Sequence, residues 1–254
     1  MTMRGVVEVF ADDAALMAAA ATTFATAARA AIAARGRFVT ALSGGSTPRK
    51  LFELLASERF APSIDWDRVE VCFVDERSVP PDAEASNYRM TRETLLDRVA
   101  IPAAQVHRVL SEDLPLVAAA AYEQTVRTLL DTPTGAPRPL PGARFDLVFL
   151  GMGANGHTAS FFPGLHAVRE SERWVVAEYV TEVAMWRITL TPVVLNAAAE
   201  VVFLVSGADK AAMLHRVLEG PTDPDSLPAQ IIAPQHGQLR WLVDAAAAAS
   251  LERR

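Results

Sequence analysis

The first place in this chain where residue type and spacing could do chemistry is a single histidine set among glycines. Phe145–Gly164 reads FDLVFLGMGANGHTASFFPG. An apolar run, Leu147–Leu150, breaks into Gly151-Met152-Gly153, passes through Asn155-Gly156-His157-Thr158 and closes on Pro163-Gly164. This is the pattern of a buried strand ending in a glycine-shaped loop, and open α/β sheets bind ligands at the carboxyl ends of their strands. An imidazole titrates near neutral pH, so His157 is a candidate general base. A lone loop histidine is also commonly structural or solvated. Metal ligation is the weaker option, because His107, His166, His215 and His236 are scattered without HxxxH spacing and one cysteine allows no CxxC.

Three further stations follow apolar runs. After Phe38–Leu42 comes Ser43-Gly44-Gly45-Ser46-Thr47-Pro48. Its glycines allow a tight turn with exposed N–H groups. Thr47 is the expected N-cap and Pro48 the expected first helical residue. Such a terminus suits phosphate, although a plain capped turn reads the same way. It is neither GxxxxGK[ST] nor GxGxxG, and no GxSxG elbow occurs anywhere. After Val69–Val74 comes Asp75-Glu76-Arg77, followed by Ser86-Asn87-Tyr88. Arg77 offers a planar fork for phosphate, while a surface ion pair is the commonest reason for such a trio. After Val201–Val205 comes Ser206-Gly207-Ala208-Asp209-Lys210. Lys210 falls near a helix start, where the dipole disfavours a cation unless an anion lies between. Arg187, just before Ile188–Leu190, either reaches the same mouth or is an ordinary strand-edge arginine.

The elements that must hold these stations alternate in type. Strands are predicted at Val6–Phe10, Phe38–Leu42, Val69–Val74, Val106–Leu110, Phe145–Leu150, Val175–Tyr179, Ile188–Leu190, Val201–Val205 and Leu239–Val243. Helices are predicted after Asp12 or Asp13 and over Pro48–Ser57, Tyr88–Val99, Leu116–Leu130 and Lys210–Leu218. This alternation implies an α/β fold, a mostly parallel sheet with helices on both faces, in one domain across residues 1–254. Thr132–Gly142 and Gly220–Pro228 read as surface loops.

Composition narrows the function classes. The formal net charge is −6 without a basic cluster, a poor profile for nucleic-acid binding. Cys72 sits in an apolar run and reads as a small buried residue of a protein from a reducing compartment. The N-terminus meets acidic residues too early for a signal-peptide core. No run approaches the ~18 apolar residues of a membrane span, since Ala14–Ala34 is interrupted by Thr22, Thr23, Thr26 and Arg29. The expectation is a soluble, cytoplasmic protein.

Taken together and in order, SGGSTP at Ser43–Pro48, VDER at Val74–Arg77, SNY at Ser86–Tyr88, GMGxxGHTASxFPG at Gly151–Gly164 and SGADK at Ser206–Lys210 resemble the 6-phosphogluconolactonase family over nearly the whole chain. The resemblance implies the Rossmann-like fold shared with glucosamine-6-phosphate deaminases and ribose-5-phosphate isomerases. It also implies hydrolysis of 6-phospho-D-glucono-1,5-lactone to 6-phosphogluconate in the oxidative pentose phosphate pathway, with no cofactor and no metal. The partner it implies is a small sugar-phosphate lactone, with no nucleic acid and no membrane. Carried onto this sequence, it makes His157 the base with Asn155 beside it. Ser43, Gly44, Gly45, Ser46, Thr47, Asp75, Arg77, Asn87, Gly153, Arg187 and Lys210 become the substrate site. Backbone N–H groups of the Gly151–Gly156 loop are the expected oxyanion donors.

Two positions depart from the family pattern. Asn155 stands where an acidic residue is usual; it can orient the imidazole but carries no charge, so a less basic histidine is expected. Phe161 replaces the usual Leu, a packing change. The related deaminases end this loop in Asn-Glu-Pro, whereas Phe161-Phe162-Pro163 stands here, so apolar Phe162 takes the place of the catalytic Glu. That argues against amine chemistry. A non-catalytic sugar-phosphate sensor of this fold would add a DNA-binding helix-turn-helix, for which the sequence shows no N-terminal segment or basic helix.

Overall fold

Side chains alternate along a strand, and here both sides are apolar. Leu147 and Phe149 face one core while Val148 and Leu150 face the other, and Val202 and Leu204 alternate in the same way with Val201, Phe203 and Val205. A strand buried on both faces belongs inside a parallel sheet covered by helices. The computed structural model describes residues 4–252 apart from 134–135, 137–138 and 141. Its strands are β1 (Val6–Phe10), β2 (Phe38–Leu42), β3 (Val69–Phe73), β4 (Asp75–Arg77), β5 (Val106–His107), β6 (Leu147–Gly151), β7 (Val175–Val180), β8 (Met185–Leu190), β9 (Glu200–Val205) and β10 (Gln238–Asp244). The α-helices are α1 (Asp13–Arg35), α2 (Ser46–Leu55), α3 (Asn87–Thr94), α4 (Pro115–Leu129), α5 (Pro192–Leu195) and α6 (Ala211–Glu219).

Seven strands form one parallel sheet in the order β1-β10-β9-β6-β2-β3-β5. From β2 the chain moves outward through β3 to β5, and from β6 it moves the other way through β9 to β10. The adjacent carboxyl ends of β2 and β6 are therefore a topological switch point, where a crevice opens. On one face α1 and α2 cover the sheet, with Phe24 against Phe38, Trp66 and Phe149. On the other, residues of α4 and α6 join a core containing the stacked Phe203–Trp241 pair, 3.8 Å between ring centroids.

The structure corrects several expectations. Residues 175–179 and 188–190 do not enter the parallel sheet. They lie in β7 and β8, which form a second, antiparallel sheet in the order β4-β8-β7. Asp75–Arg77, expected as a loop, is β4. The passage between sheets occurs at Val74, whose N–H donates to Leu42 O at 2.9 Å while its carbonyl accepts from Leu190 N–H at 2.8 Å. Helix α2 starts two residues before the expected point. Its N-cap is Gly45 at φ 115°, not Thr47, because only glycine turns so abruptly out of β2 at that φ. Pro48 is consequently the third helical residue. Asp12 caps α1 by accepting from Ala15 N–H at 2.8 Å. The helix expected over 88–99 stops at Thr94, after which Leu96–Arg98 forms a 3-10 turn. The strand expected to reach residue 110 is two residues long. The Thr132–Gly142 loop falls partly outside the described residues.

Helix α1 is long and apolar enough to cross a bilayer by length and composition. In this fold it lays Leu16, Met17, Ala20, Ala21 and Phe24 into the core. Cys72 is buried, and burial pushes its thiol up to about 12, which removes it as a nucleophile.

Glu76 is the polar tie beneath the site. Its buried carboxylate accepts the N–H groups of Arg77 (2.8 Å), Asn87 (2.7 Å) and Tyr88 (2.8 Å) and the Ser86 hydroxyl (3.1 Å). It thereby fixes β4 to the N-terminus of α3. Glu76→Ala strands these donors and is expected to destabilise by about 2–3 kcal/mol, the scale for leaving buried hydrogen-bonding groups unsatisfied. Urea unfolding measures this; a loss below about 1 kcal/mol would refute the role.

Candidate active site

The switch point opens into a solvent-open cleft whose space, open solvent included, comes to about 830 Å³. Every residue expected at a substrate site lines it: Ser43, Gly44, Gly45, Ser46 and Thr47 from β2–α2, Asp75 and Arg77 from β4, Asn87 from α3, Gly153 and His157 from the β6 loop, Arg187 from β8, and Lys210 before α6. Asn155 is not part of the lining. It lies behind the histidine, its Oδ1 2.5 Å from His157 Nδ1.

The histidine loop is closed by its own polar groups. Gly153 N–H donates to His157 O at 2.8 Å and Gly156 N–H to Gly153 O at 3.1 Å. The Thr158 hydroxyl donates to Gly151 O at 2.8 Å, and the Ser160 hydroxyl to Asp75 Oδ2 at 2.7 Å. Ala159 is held at φ 50°, left-handed without being glycine, a strain found where a loop is over-determined by its surroundings. Gly153 is needed for close approach: a Cβ there would lie 2.1 Å from His157 Nδ1. On the other side the imidazole stacks on Phe162, centroids 4.4 Å apart and planes at 14°. The ring is clamped between a bare α-carbon and an aromatic face.

These bonds also correct the sequence reading. The N–H groups of Gly153 and Gly156 are engaged within the loop and are not the oxyanion donors expected of them. The Ser43 hydroxyl is buried and donates to Phe149 O at 2.7 Å, tying β2 to β6, so this residue offers the cleft its backbone. Asp75 and Glu76 are no surface ion pair; both are buried. Asp75 Oδ1 accepts from Asn87 Nδ2 at 3.2 Å, and that amide sits against Gly44.

Positive charge collects at the mouth. Arg77 and Arg187 face each other across the β4–β8 ladder. Like charges directly opposite on a sheet are destabilising, yet both side chains line the cleft and each Nε is buried without a hydrogen-bond partner, while Arg77 Nη1 donates to Ala85 O at 2.6 Å. Burial lowers the Arg187 pKa, opposed by Asp75 and reinforced by Arg77. Lys210 is paired to its neighbour Asp209 at 3.3 Å. In the first turn of α2 the N–H groups of Ser46 and Thr47 have no intrahelical acceptor. A strongly charged anion satisfies this set, since it neutralises the arginine pair and meets the helix N-terminus.

His157 sits in the same field. Burial holds its imidazole below the usual range; the carboxylates of Asp75 and Glu182 work against that, and Arg187 and Lys210 add to it. Glu182, in the turn between β7 and β8, was not marked by the sequence reading. Both its oxygens lie 3.1 Å from Asn155 Nδ2. No motif flags it, because it reaches the loop from 27 residues away.

Comparison with known proteins bears on family and fold. The family described as glucosamine-6-phosphate isomerases/6-phosphogluconolactonase matches residues 11–241. A 6-phosphogluconolactonase of Nostoc sp. is 41% identical over 250 residues, 98% of this chain and 99% of its own. The structure of a 6-phosphogluconolactonase from Trypanosoma cruzi superposes with a TM-score of 0.86 at 29% identity, covering 100% of this chain and 99% of that one. A monomeric glucosamine-6-phosphate deaminase shares the fold at a TM-score of 0.79 and 20% identity, over 96% of this chain and 99% of its own.

Because burial is the dominant influence on His157, its imidazole is expected to titrate below 6.5 in the free protein and to be neutral at pH 7. Nitrogen-15 NMR of the ring follows this directly; a midpoint at or above the ordinary value would show that the carboxylates outweigh burial.

Proposed function

The chain belongs to the glucosamine-6-phosphate isomerase/6-phosphogluconolactonase family, and from that premise we propose that it hydrolyses 6-phospho-D-glucono-1,5-lactone to 6-phosphogluconate, the lactone-opening step of the oxidative pentose phosphate pathway. The observation that carries the reading is the placing of one clamped imidazole in the same cleft as two facing arginines whose Nε atoms lack a hydrogen-bond partner. A substrate with a phosphate dianion at one end and an electrophilic carbonyl at the other spans these two features. The partner in this reading is that small molecule alone, and one α/β domain in the cytoplasm carries the activity.

The chemistry follows from the field in the cleft. Arg77, Arg187, Lys210 and the first turn of α2 hold the dianion, and holding it orients the lactone against His157. With its pKa lowered, the imidazole is unprotonated at neutral pH and accepts a proton from water as the water oxygen attacks the carbonyl carbon. The C–O bond to the ring oxygen then breaks, and the imidazolium returns the proton to that oxygen. The charges of Arg187 and Lys210 that disfavour the imidazolium also favour the negative oxygen formed next to it. In this reading those side chains take the part that the Gly153 and Gly156 N–H groups, engaged within the loop, do not. The apolar face of Phe162 against His157 speaks against the deaminase alternative, which needs a carboxylate in that part of the loop.

The test generates the phosphorylated lactone in situ and follows acid release above the spontaneous rate, at low pH and short times. Wild-type protein no faster than background would end the lactonase reading. His157→Ala is expected to lower kcat by about 10²- to 10⁴-fold, the usual worth of a general base; an unchanged rate would remove only that assignment. Arg187→Gln is expected to raise KM about 10-fold or more, on the scale of a lost charge-assisted bond. An effect on kcat alone would place the arginine at the carbonyl and not at the phosphate.

A further inference from the structure

Asn155 carries no charge, yet a carboxylate stands directly behind it. The side-chain oxygen of Asn155 receives two contacts from one residue: the His157 backbone N–H at 3.2 Å and His157 Nδ1 at 2.5 Å. A backbone N–H can only donate, so the atom facing His157 is the amide oxygen. The other end of the amide, Nδ2, faces both oxygens of Glu182 at 3.1 Å. A carboxylate can only accept, which identifies that atom as the NH₂ group on independent grounds. With both ends assigned, the amide cannot turn over without setting its oxygen against a carboxylate and its NH₂ against an N–H.

We infer that Glu182, at the turn between β7 and β8, is a positioning residue for His157: through the Asn155 amide it holds the imidazole with the proton on Nδ1, leaving Nε2 unprotonated. An amide oxygen accepts and does not donate, so a ring nitrogen bonded to it must carry the hydrogen. The neutral imidazole has one N–H, and the remaining nitrogen is then the proton acceptor. The direct neighbours of the ring, Gly153 and Phe162, fix its plane, but neither has a polar side chain and the Gly153 N–H and carbonyl are bonded within the loop, so they do not choose between tautomers. When the ring gains a proton, the charge of Glu182 steadies it through the polarised amide. The other charged groups acting on the ring are Asp75, Arg187 and Lys210. Glu182 arrives from the antiparallel sheet, so the second sheet contributes to the histidine as well as the arginines. The inference rests on His157 being the base in the proposed reaction, but its structural half concerns the free protein.

The experiment is a cycle on Glu182→Ala and Asn155→Asp, read two ways. Without substrate, nitrogen-15 NMR of His157 reports tautomer and titration midpoint. Wild type is expected to show Nδ1 protonated and Nε2 not. Glu182→Ala is expected to mix the tautomers and lower the midpoint, and Glu182→Gln, whose amide oxygen still accepts a hydrogen bond, to keep the tautomer but lose the charge. With substrate, Glu182→Ala is expected to lower kcat about three- to fivefold, the reach of a solvent-exposed charge, and to move the acid limb of the pH profile down. In the Asn155→Asp background, where two carboxylates abut, the same change is expected to be neutral or favourable. An unaltered tautomer and midpoint in Glu182→Ala, or an equal kcat loss in both backgrounds, would overturn the inference. A protein without lactonase activity leaves the NMR readings intact, so failure of the function and failure of the relay are told apart.

Discussion

Val74 is hydrogen-bonded to both sheets, and the site depends on that single residue of overlap. Its N–H continues the ladder from β2, and its carbonyl starts the contact with β8. One residue later the chain is an antiparallel strand. This join brings Asp75, Arg77 and Arg187 over the switch point where β2 and β6 diverge. A parallel sheet alone supplies N–H groups and loop ends at its crevice; the arginine pair and Glu182 come from the second sheet. Glu76 secures the join by gathering the N–H groups that begin α3.

The electrostatics of the cleft have one theme. Arginines facing each other and the open first turn of α2 are each unfavourable or unfulfilled without an anion, and Lys210, paired with Asp209, adds its charge at the same mouth. Burial is the main cause that lowers the affinity of His157 for a proton, and the positive charges of Arg187 and Lys210 add to it. In the proposed reaction those same charges also favour a negative oxygen formed beside the imidazole. The carboxylates of Asp75 and Glu182 limit the effect so that the imidazole can still accept a proton during reaction.

Much of this was legible from the residues. The strand cores were readable because strand residues alternate between two apolar faces. The stations were readable because glycine, proline and capping residues punctuate strand ends with few alternatives. What was misread is equally specific. The apolar runs over 175–179 and 188–190 have the composition of parallel strands, and nothing local distinguishes pairing with β4 from pairing with β9. The trio Asp75-Glu76-Arg77 looks like surface charge until α3 folds over it. The N–H groups of Gly153 and Gly156 looked free because loop closure is invisible to composition. Thr47 looked like a cap because the φ of Gly45, which moves the helix start, is a property of the folded turn.

The sequence by itself determined the layer architecture, the switch-point loops and the presence of one histidine among glycines, because these follow from periodicity and from backbone preferences that act over a few residues. Only the tertiary structure decided which charges meet. Arg77 finds Arg187 through a β-ladder, and Asn155 in the β6 loop finds Glu182 in the β7–β8 turn, each between residues too far apart in the chain for local rules to connect. Asn155 shows the division most plainly. As a letter it is a lost charge; in the fold it is the link through which a carboxylate reaches the histidine, because hydrogen-bond donors and acceptors are matched in space and not along the chain.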